Sequence, residues 1–415
     1  MQPEHFASLP ALITSQKPSE AHLCFCPAHV HRQVAKFHES FPGSTAWAVK
    51  ANPHPVVLRA IIEAGIREFD VASRQEIDLV RAALPAAVLH FNNPVKAPED
   101  IAHALAAGVR SFALDCQEEL EKIAALAAGA GVPARNILLN VRFKDAAARG
   151  TDNYNFHEKF GATPDEASHL LHRTKGLGFR AGLTFHPGSQ NRNPAAYEEM
   201  MRLAHAIAGR ALGPDMAGLD LLNVGGGFPC HYPGGGEQPL THYFDSVRRG
   251  AALFPCPVSC EPGRALVADS ISLLARINLR RSGDNRLYIN DGIYGSFMEL
   301  PFVDFHPPAR AYPHHHHPPG HTGANPPRRG LVHRQSRVVH PIRVVQRSPP
   351  KCLSCSNPPL PFLVSPCPAW PGRALPARPS HLPAHRPRLA GRKALQARMF
   401  RSLPARLRSS HARRV

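Results

Sequence analysis

The chain has 415 residues, 43% of them hydrophobic, enough for two domains with a sizeable core. Its formal charge of +18 is unevenly placed: residues 313–415 hold nineteen of the 49 Lys and Arg and no Asp or Glu, so the first 312 residues are close to neutral. No apolar run approaches the roughly 18 residues of a membrane span, and "MQPEHFASLPALITSQ" lacks the basic and apolar regions of a signal peptide, so no membrane partner is expected and a cytoplasmic location is.

Residues 1–43 precede any regular pattern. From residue 44 onward, short β-rich runs alternate with helical ones. Strands are expected to begin near Ser44 (STAWAVKAN), Arg67 (REFDVAS), Ala87 (AVLHFNN), Arg110 (RSFALD), Asn136 (NILLNVRF), Ala181 (AGLTFHPG), Leu219 (LDLLNVGGG) and Pro257 (PVSCEPGRALV). Between them lie amphipathic helices such as "HPVVLRAIIEAG", stopped by Gly65, and "APEDIAHALAAG", with Pro98, Glu99 and Asp100 in its first turn and Gly108 at its end. Eight successive βα units over 44–267 predict an α/β fold, a (β/α)8 barrel. The grammar then changes. "RALVADSISLLARINLRR" and "RLYINDGIYGSFMEL" alternate without helices, predicting the start of an all-β domain over 268–312 to which residues 1–43 contribute. Residues 313–415 carry nineteen of the 43 prolines and four consecutive histidines, His314 to His317, and are expected to be a disordered basic tail.

Barrel enzymes place their chemistry at the C-terminal ends of the strands. Those ends carry Lys50, Asp70, Asn92 and Asn93, Arg142, His186 and Ser189, Gly225 to Gly227, and Glu261 and Arg264. A glycine triplet lets backbone N–H groups approach an anion closely, the loops after strands 7 and 8 commonly hold phosphate, and Arg264 adds a charged fork. Glycine also serves tight turns for backbone reasons alone. Lys50 in such a pocket is either a cation paired with a carboxylate, or an amine whose depressed pKa frees it to bond a carbonyl. With a phosphate site and the carboxylate of Glu261, the set is the equipment for pyridoxal phosphate. Plainer readings exist: His186 as a core histidine, Asp70 as a cap for the helix near Arg74, and Arg142 as a solvated loop residue.

The stretches "AVKANPHPVVL", "FDVASRQEI", "EKFG", "FHPGSQ", "NVGGGFP", "CEPGR" and "NDGIYGSF" resemble, in order and spacing, the motifs of the fold-type III (alanine-racemase-like barrel) pyridoxal phosphate decarboxylases acting on ornithine, diaminopimelate or arginine. "FDVAS" and "NDGIYGSF" look most like the ornithine branch. The resemblance covers residues 30–305 and implies decarboxylation of a basic amino acid, most of all L-ornithine to putrescine. It implies that Lys50 bonds the cofactor aldehyde, Glu261 pairs with the pyridine nitrogen and His186 stacks on the ring. It further implies that Asp70 tunes Lys50, Arg142 lies beneath the cofactor, and Ser189, Gly225, Gly226, Gly227 and Arg264 hold the phosphate. Asp304 is similar to the carboxylate that meets the substrate's distal amine.

The resemblance also implies a homodimer whose sites are completed by a Cys-Asp pair and a late tyrosine. Here the chain departs: no acidic residue follows Asp304 and no tyrosine follows Tyr312. A reading-frame shift near residue 312 accounts for this, and predicts an incomplete β domain; an evolved basic tail is the alternative. Rival functions are an inactive pyridoxal phosphate-binding homologue, diaminopimelate or lysine decarboxylation, racemisation, and a nucleic-acid-binding tail. The tail lacks aromatic interleaving, having only Phe362, Trp370 and Phe400, so no specific nucleic-acid partner is expected. The cysteines before residue 313 lack metal-ligand spacing, and "CLSC" at 352–355 has no second pair, so no metal is expected.

Overall fold

The computed structural model describes residues 4–144, 159–231, 237–280, 287–298 and 309–312, and the backbone of 342–345 and 362–364. Eight parallel strands close into a barrel. They are β1 Ser44–Ala48, β2 Glu68–Val71, β3 Val88–Phe91, β4 Ser111–Leu114, β5 Leu138–Arg142, β6 Arg180–Thr184, β7 Leu219–Asn223 and β8 Val258–Cys260. Closure comes from β8, which pairs with β7 at Val258↔Leu222 and with β1 at Ser259↔Ser44. Both faces of a parallel sheet are covered, which is why these strands read as apolar runs and not as alternations.

Helices wrap the outside: α1 Pro55–Glu63, α2 Arg74–Ala83, α3 Pro98–Ala106, α4 Gln117–Gly129, α5 Pro164–Gly176, α6 Ala195–Leu212, α7 Leu240–Ala251 and the single turn α8 Arg264–Val267. Their starts follow local chemistry. The Thr163 hydroxyl and the Glu166 carboxylate form a reciprocal capping box on α5, and Pro98, Glu99 and Asp100 open α3. The eighth strand is shorter than expected. It ends at Cys260, because Pro262 and Gly263 break it, and the "RALV" placed in it by sequence forms α8 instead.

A further helix, Pro27–Ser40, packs beside the barrel. Its Phe37, with Phe41, meets Phe228 and Phe244 at ring separations between 5.0 and 6.1 Å, mostly edge to face. Tyr197 stacks on Phe228 at 4.8 Å, and Tyr243 meets Tyr197 edge-on. These rings are fully or almost fully buried.

The other layer is an antiparallel sheet. The strand His22–Phe25 pairs with Ile271–Arg280, as Ser272↔Cys24 and Leu274↔His22. Leu287–Ile289 pairs with the outer end of Ile271–Arg280, and the segment expected to continue it as "NDGIYGSF" is a series of turns. Glu4–Phe6 and Arg310–Tyr312 join the sheet through Ile342–Val345 and Phe362–Val364 respectively. The sheet thus takes seven residues from the stretch expected to be structureless. Asp304 and the remainder of that stretch lie outside the described residues.

Candidate active site

Lys50 lies in a single 3-10 turn, Val49–Ala51, immediately after β1. Its side chain stands 62% exposed, and its Nζ donates to Asp70 Oδ2 at 3.2 Å. Asp70 is 2% exposed on β2, where the register Ala48↔Asp70 puts it beside the turn. The Asp70 carboxylate raises the Lys50 pKa; burial opposes this and Glu261 reinforces it. Without cofactor, Lys50 thus stands as the cation paired with Asp70. Asp70 is not a helix cap: Ser73 Oγ accepts from Glu76 N at 3.3 Å, and Ala72 N donates to the Glu76 carboxylate.

Glu261 follows β8 directly, and its backbone N–H donates to Gly225 O at 2.8 Å, tying the last two strand ends together. Burial first, and the Asp70 charge second, push its carboxyl up to about 7, while Lys50 and a hydrogen bond from Asn223 pull it down. Two amides reach the same oxygen. Asn92 Nδ2 donates to Oε1 at 2.5 Å, and Asn223 Nδ2 donates to Oε1 as well. Neither asparagine was assigned a role from the sequence, although Asn92 was read as a strand end. The available signal was a polar residue closing each of two otherwise apolar runs, "AVLHFNN" and "LDLLNV".

Arg142, the last residue of β5, is half-buried with its guanidinium 5.8 Å from the Phe160 ring. Burial lowers its pKa, and the charges of Glu261, Asp115 and Asp70 pull it back up. Among the described residues it forms no ion pair. Deeper in the barrel, a closed polar chain runs from Glu68 to His90 at 3.1 Å, on to Ser111 at 2.9 Å and to Asn140 at 3.1 Å.

His186 and Ser189 follow β6; His186 Nδ1 accepts from Gly188 N at 3.0 Å, and Ser189 is half-buried. The glycine turn after β7 has φ +69° at Gly225 and +91° at Gly227. A Cβ on Gly225 would meet Phe185 O at 2.0 Å and one on Gly227 would meet Gly188 O at 2.3 Å, so neighbouring backbone already demands glycine here. Tyr197 donates to Gly226 O at 2.8 Å and Asn191 N to Gly227 O at 2.9 Å, whereas the N–H groups of Gly226 and Gly227 have no acceptor among the described residues. Unspent amides in a buried turn are the donors a phosphate needs. Arg264, at the start of α8, has an exposed side chain at the same end of the barrel.

One buried charge has no counterpart among the residues singled out from the sequence. Lys96 is fully buried between β3 and α3, donating to Asn93 O at 2.8 Å and Ala113 O at 2.6 Å and pairing with Glu119 at 2.9 Å. Burial lowers its pKa to about 8 against the pull of Glu119. Lys122 pairs with the other Glu119 oxygen and donates to Lys96 O. This lock pins the loop that carries Asn92.

A parallel barrel whose carboxyl end brings together an amine, a half-buried carboxylate, a half-buried arginine and unspent turn amides has the groups to hold an anionic, carbonyl-bearing cofactor. Residues 27–268 match the model of the pyridoxal-dependent decarboxylases, pyridoxal binding domain, and the chain belongs to that family. It is 32% identical over 260 residues to the lysine/ornithine decarboxylase of Selenomonas ruminantium, covering 61% of this chain and 63% of that one. It is 32% identical over 288 residues to the ornithine decarboxylase of Caenorhabditis elegans, covering 63% and 64%. Among solved structures, the lysine/ornithine decarboxylase of Vibrio vulnificus complexed with putrescine matches with a TM-score of 0.60 at 28% identity, covering 72% of this chain and 79% of that one. The chain thus spans somewhat under two thirds of the length of these two curated relatives. The cofactor is pyridoxal 5'-phosphate. The residues present fit it: a reachable amine, a half-buried carboxylate and orphaned turn amides occupy one strand-end face.

Proposed function

We propose that the chain is a carboxy-lyase that removes the α-carboxyl of a basic amino acid, L-ornithine before lysine or diaminopimelate. The observation that carries this reading is the Lys50–Asp70 pair set on the same strand-end face as Glu261 and the glycine turn. Lys50 would hold the cofactor through its aldehyde, the Gly226 and Gly227 amides, with Ser189, Gly225 and Arg264, would hold the phosphate, and His186 and Arg142 would contact the ring. When bound, the cofactor supplies a sink for the electron pair left on the α-carbon as carbon dioxide departs.

The chain's own groups do the rest. Lys50 must shed a proton before its nitrogen can bond a carbonyl, and Asp70 Oδ2 at 3.2 Å is the base beside it. Glu261 would keep a pyridine-type nitrogen protonated through electrostatics. Arg142 offsets the negative charge of Asp70 and Glu261 on the floor of the site. Asp304, outside the described residues, is assigned to the distal ammonium of the substrate, which is the basis for choosing a basic side chain. Assembly as a homodimer belongs to the same proposal.

A second reading, a cofactor-binding chain without turnover, is favoured by one observation: no acidic residue follows Asp304. Borohydride reduction and peptide mapping test the first step, and the pyridoxyl label is expected on the peptide containing Lys50. A label elsewhere removes the assignment. Release of carbon dioxide from ornithine, lysine and diaminopimelate then separates the substrates, and silence with all three leaves the second reading.

A further inference from the structure

We infer that Asn92 and Asn223 form a two-amide clamp on Oε1 of Glu261 that reserves Oε2 as the only oxygen of that carboxyl able to carry a proton or meet a ligand. The inference rests on the reading above for the name of the ligand, and on geometry alone for the clamp. Asn223 closes β7, the neighbour of β8, while Asn92 follows β3, three strands round the barrel, so the donors approach from two sides. The Asn223 amide has one orientation available: its Oδ1 accepts from Gly225 N at 2.8 Å, which turns Nδ2 toward Glu261. Asn92 is 8% exposed, its Oδ1 is buried without a partner, and its one side-chain hydrogen bond is to Oε1. Among the described residues no donor reaches Oε2.

An oxygen that already accepts from two N–H groups has no room for a hydrogen of its own. Any proton that Glu261 holds therefore sits on Oε2, and when the carboxyl is ionised, Oε2 is the acceptor left for a protonated ring nitrogen. Hydrogen bonds to the charged form also favour ionisation. The charged and titratable groups around the carboxyl are Asp70 on β2, Lys50 after β1, His90 on β3, Arg142 on β5 and the preceding Cys260. Within that set the two amides supply the directional part. Because Asn223 also binds the Gly225 amide, the clamp couples the carboxylate to the phosphate turn; because Lys96 holds Asn93 O, it couples the carboxylate to the buried ion pair. Asn92 and Asn223 are positioning residues, acting through Glu261.

The test is a carbon-13 titration of the Glu261 carboxyl in the full chain without cofactor, its signal assigned by its loss in Glu261→Gln. Asn92→Ala is measured first, since Asn92 makes no other side-chain hydrogen bond, and Asn223→Ala second. Each is expected to move the Glu261 midpoint upward by roughly one pH unit, the worth of a hydrogen bond to a charged group. Asn92→Asp, which places a second carboxyl at the clamp, is expected to move it further. A Glu261 midpoint unchanged in both alanine variants overturns the clamp. Failure of Lys50 to take the pyridoxyl label would instead overturn the proposed function, and the titration of the cofactor-free chain would stand apart from it.

Discussion

In the barrel every strand has a hydrogen-bonded neighbour on each side, and Phe69, Phe91, Phe112 and Leu139 are at most 1% exposed. In the antiparallel sheet Leu279, Leu287 and Tyr288 are 52%, 41% and 38% exposed, and the buried cluster shrinks to Leu12, Ile13, Cys24 and Leu274. The difference lies in what each region can finish from its own sequence. A closed barrel has no edge to protect. An open sheet needs a covering layer, and among the described residues both faces are exposed at the outer end of this one, where Leu279 pairs with Tyr288 and Arg280 with Leu287. The proposed site sits on the finished region.

The contrast can be broken most severely at the buried lock. Replacing Lys96 by Met should leave buried Glu119 Oε1 without its partner at the strand-end face and destabilise the chain by about 3–5 kcal/mol, read from urea unfolding. A loss below about 1 kcal/mol would mean that Lys122 alone satisfies Glu119. Glu261→Gln separates the barrel's chemistry from its stability. Decarboxylation should fall by about 10² to 10³, the usual cost of one preorganised electrostatic partner, with cofactor still bound.

The same substitution should stabilise the cofactor-free chain in alkaline buffer, and the sign follows from linkage. A carboxyl raised from 4.5 to about 7 keeps a proton in the folded state that the unfolded state releases, so its contribution to stability declines as pH rises through that window. Glutamine does not titrate. The melting temperature of the variant relative to the parent should therefore climb from about pH 5 to about pH 8 and then level off; a flat difference would show that Glu261 has an ordinary pKa. The smallest effect is expected in the sheet: Leu287→Thr should change stability by less than about 0.5 kcal/mol and improve solubility. A larger destabilisation would show that the sheet is covered in solution and that the contrast with the barrel is weaker than it looks.

Most of the barrel was legible because period and punctuation agree along it. Strands expected near Ser44, Arg67, Ala87, Arg110, Asn136, Ala181, Leu219 and Pro257 begin within two residues of those positions. The end of the eighth was misplaced because "RALV" is apolar enough for either state, and the break lies in the Pro262–Gly263 pair before it. The strand ends placed the candidate site residues on one rim, and their proposed roles come from the resemblance. The charge state of Lys50 could not be read there, since it depends on a 3.2 Å contact to a residue twenty positions away. The amide clamp was hidden for the same reason: Asn92 and Glu261 are 169 residues apart, and each looks complete by itself. Lys96 sits in "NNPVKAPED", a stretch whose Pro and charges suggest solvent, and only the fold shows that the cation is buried.

The aromatic cluster on helix Pro27–Ser40 bears on where this barrel can be cut. Phe37 and Phe41 cover Phe228, which directly follows the glycine turn, and Tyr197, whose hydroxyl braces that turn at Gly226 O, stacks on the same ring. A fragment beginning at Ser44 would retain all eight strands yet expose Phe228 and Phe244 to water, leaving the turn propped from one side only. The smallest expressible unit is therefore set by a helix that supplies no strand and no catalytic group, and truncation should stop upstream of Pro27.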